Sequence, residues 1–147
     1  MTPITPITND KRDLLVVLKA ELEFLEKGGY RHTARAAWRP QFLFQDSPTC
    51  LNFDPSQQPR PCSDCVLMQV VPDDQRGKKI PCRYVPLNER GETIDSFYRY
   101  GTSEELEAAV GQWLRRTIHR LEMERTESKA AAGSTEVHVN ARVARAE

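Results

Sequence analysis

Apolar residues recur at helical spacing in two stretches of the chain, one near each end. In the first, Leu15, Leu18, Leu22 and Leu25 fall on one stripe with Leu14 and Val17 beside it. Asn9 or Asp10 can cap this helix, and Gly28-Gly29 stops it. In the second, Leu106, Val110, Trp113, Leu114, Thr117, Ile118 and Leu121 keep close to a 3.6-residue period, and Thr102 and Glu105 are spaced as a capping box at its start. Between the helices the signals are shorter. Residues 41–44 read as a short strand, Asp46-Ser47-Pro48 as a turn, and residues 54–61 as a loop. Residues 66–71 are apolar except for Gln69, which suits a buried strand or about one and a half helical turns equally well. Residues 83–87 and 93–98 flank a turn-like segment containing Gly91, the pattern of a β-hairpin, and Pro86 puts its first arm at an edge or a bulge.

These elements predict an α+β fold: two amphipathic helices packed on a small antiparallel sheet, with a cysteine-bearing loop region between them and disordered termini. Residues 1–8 form a flexible lead, residues 9–125 a single α+β domain with its cysteine cluster at 50–82, and residues 126–147 a disordered tail rich in alanine and small polar residues.

Charge narrows the class of partner. Lysine plus arginine number 21 and aspartate plus glutamate 21, so net charge gives no general reason to bind nucleic acid or membranes. No apolar run approaches the roughly 20 residues of a membrane-spanning helix. The N-terminal residues lack the basic head and apolar stretch of a secretory signal, which points to the cytoplasm, where thiols stay reduced.

The chemistry lies in the cysteines. There are four, spaced Cys50-x11-Cys62-x2-Cys65-x16-Cys82. Two cysteines separated by two residues can turn both sulfurs toward one point, and the flanking segments are long enough to bring Cys50 and Cys82 to them. Four thiolates complete a tetrahedral zinc site or hold an iron–sulfur cluster. Either centre carries negative charge, which Arg60, Arg76, Lys78, Lys79 and Arg83 could neutralise. Zinc is the leading expectation and an iron–sulfur cluster the alternative; buried cysteines with no metal are the plain reading of the same residues. In an oxidising compartment, two disulfides would fit better. With all four thiolates on one zinc ion, no coordination position stays open for substrate.

Other residues add less. His32 could replace one cysteine as a ligand, while His119 is most simply a solvated residue. A Cys62/Cys65 dithiol enzyme would need a βαβ context and a helix start that the sequence lacks. No catalytic residues are singled out. Arg31, His32, Arg35, Trp38 and Arg39 form a basic patch with an aromatic, a pattern that can hold a nucleic acid weakly through phosphates and a stacked base; Trp38 as a core residue is the simpler account. The resulting expectation is a cytoplasmic, non-enzymatic module with structural zinc that serves a protein partner. An iron–sulfur redox or sensor protein is the alternative, and a dithiol enzyme a third reading.

Overall fold

Asp13 opens the first helix, α1 (Leu14–Glu26): its carboxylate accepts the Leu15 N–H at 3.2 Å, satisfying one donor that a helix start leaves without a partner. The computed structural model describes residues 10–32 and 42–145, with side chains at 10–31 and 42–130. Asn9 therefore lies outside the described residues, and Asp10, the other expected cap, pairs with Arg12 instead. The expected stop is present, with Gly28 in the left-handed region at φ 74°. A single turn, α2 (Gly29–His32), follows and buries Tyr30.

The longest element, α4 (Ser103–Arg145), begins with the expected capping box. Glu105 N–H donates to the Thr102 hydroxyl at 3.1 Å, and Thr102 N–H to the Glu105 carboxylate at 2.8 Å. Its apolar stripe lies against α1, so that Leu18, Val110 and Leu114 reach 0% exposure. Ion pairs Asp13–Arg125, Lys19–Glu122 and Glu26–Arg115 run along the seam in opposite residue order on the two helices, which makes the pair antiparallel. Every side chain from 122 to 130 is exposed. Beyond the body, where composition suggests a tail from residue 126, α4 continues as helix to Arg145. Alanine, glutamate, lysine and arginine are intrinsically good helix formers and are frequent in that stretch.

No β-strand occurs among the described residues, so the fold is helical and the expected α+β arrangement on an antiparallel sheet is not formed. Three local causes account for the difference. Residues 42–46 curl into a turn: Phe44 sits at φ 65°, and Asp46 accepts the Phe42 N–H at 2.6 Å. Residues 66–71 take the helical option as a 3₁₀ helix, Val66–Val70, which buries Val66, Leu67 and Met68. In the expected hairpin, the turn forms, with Gly91 at φ 74° and Leu87 N–H donating to Glu92 C=O at 2.7 Å. Its second arm is instead a helix, α3 (Ile94–Tyr100), because Thr93 and Ser96 make a reciprocal capping box at its start.

α3 packs on α4 and on the 3₁₀ turn Pro81–Tyr84. Leu87 and Ile94 from this region join Leu18 and Leu114 in one core, where the Phe44 and Trp113 rings meet in a T-shaped arrangement at 6.4 Å between centroids.

Candidate metal centre

The turn that carries Cys50 is anchored from α1. Glu21, at 0% exposure, accepts hydrogen bonds from the Thr49 hydroxyl at 2.9 Å and from the Tyr30 hydroxyl. Tyr30 in turn accepts the Phe44 N–H at 2.9 Å, which helps hold Phe44 in its left-handed conformation. From the start of α1, the Arg12 guanidinium donates to Thr49 C=O at 2.6 Å. Cys50 N–H closes the turn on Ser47 C=O at 3.0 Å.

Two residues shut the loop between Cys50 and Cys62. The Asn52 side chain donates to Arg60 C=O at 2.8 Å and accepts Arg60 N–H at 2.7 Å. This reciprocal pair brings both arms of the loop side by side. Cys62 then starts a 3₁₀ turn, Cys62–Asp64, and Cys65 N–H bonds Cys62 C=O at 3.0 Å. Leu67 N–H points at the Cys65 sulfur at 3.4 Å, the kind of amide-to-sulfur contact that stabilises a thiolate ligand. Cys82 lies in the Pro81–Tyr84 turn behind buried Pro81. Its neighbour Arg83 donates to the Gln45 side chain at 2.7 and 3.0 Å, with its guanidinium 5.0 Å from the Phe42 ring and 5.2 Å from that of Tyr98.

All four cysteines line one cavity of about 320 Å³, walled on its apolar side by Phe42, Phe44, Leu67, Met68 and Ile80. Each sulfur is a free thiol, partly shielded from solvent. Lining one cavity does not make them an ion site as they stand: among the described residues, no three histidine, cysteine, aspartate or glutamate side chains are arranged so that they could hold a metal ion. Burial pushes the Cys82 thiol well up, and the neighbouring sulfurs add to the rise. Burial also raises Cys62 and Cys65, against the opposing pull of Leu67 N–H and the Arg12 charge at Cys65. A reactive dithiol needs a depressed thiol, the opposite direction.

The five cations expected to balance a centre divide. Arg83 acts on Cys82. Arg60 lies 3.9 Å from Asp64, and Arg76 is spent on Asp73 and on the Met68 and Val71 carbonyls. The Lys78 ammonium sits 5.4 Å from the Tyr84 ring, and Lys79 is exposed. Arg12, far away in sequence, is near enough to Cys65 and Cys50 for their charges to interact with its own. His32 ends α2, its side chain outside the described residues, and His119 is exposed. Of the basic patch, Arg31 pairs with Glu107 at 3.0 Å, while Arg35, Trp38 and Arg39 lie outside the described residues.

Asp10, Arg12, Glu21, Gln45 and Asn52 all support the site, and sequence reasoning singled out none of them for it. A glutamate inside an apolar helical stripe was the one available signal. No protein-family model, curated protein or solved structure matches this chain. No described helix is long and apolar enough to cross a membrane.

Proposed function

We propose that the four cysteines hold an iron–sulfur cluster and that the protein is a small redox or sensor module. One observation carries this reading: four thiols surround a single cavity of about 320 Å³ with apolar walls. A zinc ion bonds each sulfur at about 2.3 Å, which requires the four to close to within roughly 4 Å of one another. A cluster is a multi-atom body whose four cysteines are shared among two or four irons, so its ligands as a set lie farther apart than those of a single ion. Apolar walls and the Leu67 N–H at the Cys65 sulfur also suit a cluster, since shielding and hydrogen bonds to sulfur set its potential. Once bound, the cluster would supply one-electron chemistry. The chain's own residues shield it, orient the sulfurs and place positive charge beside them.

Structural zinc is the second reading, favoured by the tight Cys62–Asp64 turn that sets Cys62 and Cys65 side by side. It requires the cavity to contract. In both forms all four thiolates are engaged, which argues against a metal-bound substrate. A reducing, cytoplasmic setting is part of the proposal, because the thiols must remain free.

Anaerobic purification followed by metal and sulfide analysis decides between them. A brown protein with iron and matching acid-labile sulfide is expected. Colourless protein with one zinc per chain overturns the cluster in favour of the structural site, and metal-free protein with wild-type folding overturns both.

A further inference from the structure

We infer that Asp10 and Arg12 form a brace for the cysteine centre, an ion pair that ties the Cys50 and Cys65 segments together and fixes a positive charge beside their sulfurs. This rests on the reading that the cysteines hold an inorganic centre. The pair lies just ahead of α1, and its two members are joined by Arg12 Nη2 and Nε at 2.7 and 2.9 Å from the Asp10 carboxylate. From the pair, one hydrogen bond goes to each segment. Arg12 Nη1 donates to Thr49 C=O at 2.6 Å, one residue before Cys50, and Asp10 accepts Val66 N–H at 2.9 Å, one residue after Cys65. These contacts span 37 and 56 residues, so they hold distant parts of the chain in register. The Asp10 side chain is only 2% exposed.

Helix capping does not explain the pair, since Asp13 caps α1. Chemistry does. Four thiolates on zinc, or on an oxidised cluster, leave a charge of about −2. The guanidinium, held by a buried carboxylate, is bonded one residue before Cys50 while its partner is bonded one residue after Cys65, which brings its positive charge close to both segments to oppose that charge. Arg12 also has the geometry to do both tasks, because two nitrogens of its planar fork meet the Asp10 carboxylate side by side while the third reaches the Thr49 carbonyl, a bidentate arrangement an ammonium does not reproduce.

The test uses the full chain purified with its centre in place, as wild type, Arg12→Gln, Arg12→Lys and Asp10→Asn. Arg99→Gln, which removes an ion pair with Asp95 and a contact with the Tyr100 ring, both within α3 and away from the cysteines, is the control. Metal release to a chelator is timed and, for an iron-containing centre, the midpoint potential is measured. Arg12→Gln is expected to release metal about 10–100-fold faster and to shift the potential to more negative values. Arg12→Lys should restore the potential but not the slow release, and Arg99→Gln should match wild type in both. If the centre is zinc, the release rates alone decide. Wild-type release and potential in Arg12→Gln overturn the brace. A wild-type chain without metal overturns the centre and the brace with it. Should Arg12→Gln lose its helical circular dichroism, Arg12→Lys and Asp10→Asn carry the same test; if all three unfold while Arg99→Gln folds, the pair belongs to the fold and the inference fails.

Discussion

Glu21 has no solvent contact; its carboxyl accepts from the Tyr30 and Thr49 hydroxyls, and the Thr49 hydroxyl is in turn bonded to that of Ser47. Burial raises its pKa, and the hydrogen bonds recover only part of that shift. Its folded form therefore favours the neutral acid. The stability this gives is fully present below the ordinary glutamate pKa and is lost as pH rises through the raised folded value. Glu21→Gln keeps the shape and cannot ionise. Urea denaturation from about pH 4 to pH 7 should show the variant gaining stability relative to wild type as pH rises; a constant gap across that range would mean that Glu21 does not titrate with folding. Asp10 behaves in the opposite sense. Burial pushes its carboxyl up, but the bonds from Arg12 and Val66 N–H and the Arg12 charge outweigh it and hold the pKa at about 2. Its contribution is present above the ordinary aspartate range and disappears only as pH falls through about 2. Neither role was legible in the sequence. Whether a glutamate on an apolar stripe is buried depends on which hydroxyls reach it, and those of Tyr30 and Thr49 arrive from two other segments.

Both long helices could be read from spacing because their apolar stripes face one large partner each, and periodicity survives when burial is one-sided. Leu114, at 0% exposure in the seam, should cost about 2–5 kcal/mol when cut to alanine, read by urea unfolding. The middle of the chain was misread where two patterns share the same letters. Ile94, Phe97 and Tyr98 suit a strand by composition, yet the hydrogen-bonding pair Thr93 and Ser96 starts a helix there. That box was less visible in the sequence than the one at Thr102 and Glu105, because its third helical residue is serine rather than the glutamate or glutamine of the usual pattern. The β-branched and aromatic residues after it concealed it. Removing the cap by Thr93→Ala should destabilise the protein by about 1 kcal/mol, with α4 helicity unchanged. A loss well below that would show that α3 is held by packing of Ile94 alone. Residues 42–46 were beyond spacing altogether. Their turn depends on side chains from α2 and α3, namely the Tyr30 hydroxyl at Phe44 N–H and the Tyr98 hydroxyl at Leu43 N–H.

At the scale of the molecule, two kinds of stability meet. The α1–α4 pair is two antiparallel helices with an apolar seam between them. Residues 42–87 are short 3₁₀ turns and loops, held by isolated hydrogen bonds and by the cavity wall. Such a segment lacks the ladder of bonds that makes opening cooperative, so a centre bound at residues 50, 62, 65 and 82 would supply much of its order. Spacing limited how far the four cysteines could reach, but it could not give the distances between their side chains, so their placement along one cavity wall had to come from the structure. Metal removal should therefore act unevenly. After chelation, far-UV circular dichroism should keep most of its helical signal, since Leu18, Val110 and Leu114 stay in contact without the centre. Amide exchange should rise in residues 50–82, and foremost at Leu67 N–H, whose acceptor is the Cys65 sulfur. Truncation after Arg125 serves as the counterpart, because residues 126–130 are exposed while the Asp13–Arg125 pair is kept. That variant should retain metal and protection in residues 50–82 at wild-type levels. If chelation instead melts the helices together with the loops, the centre holds the whole fold; if exchange in residues 50–82 does not change, the cavity is ordered by its apolar walls alone.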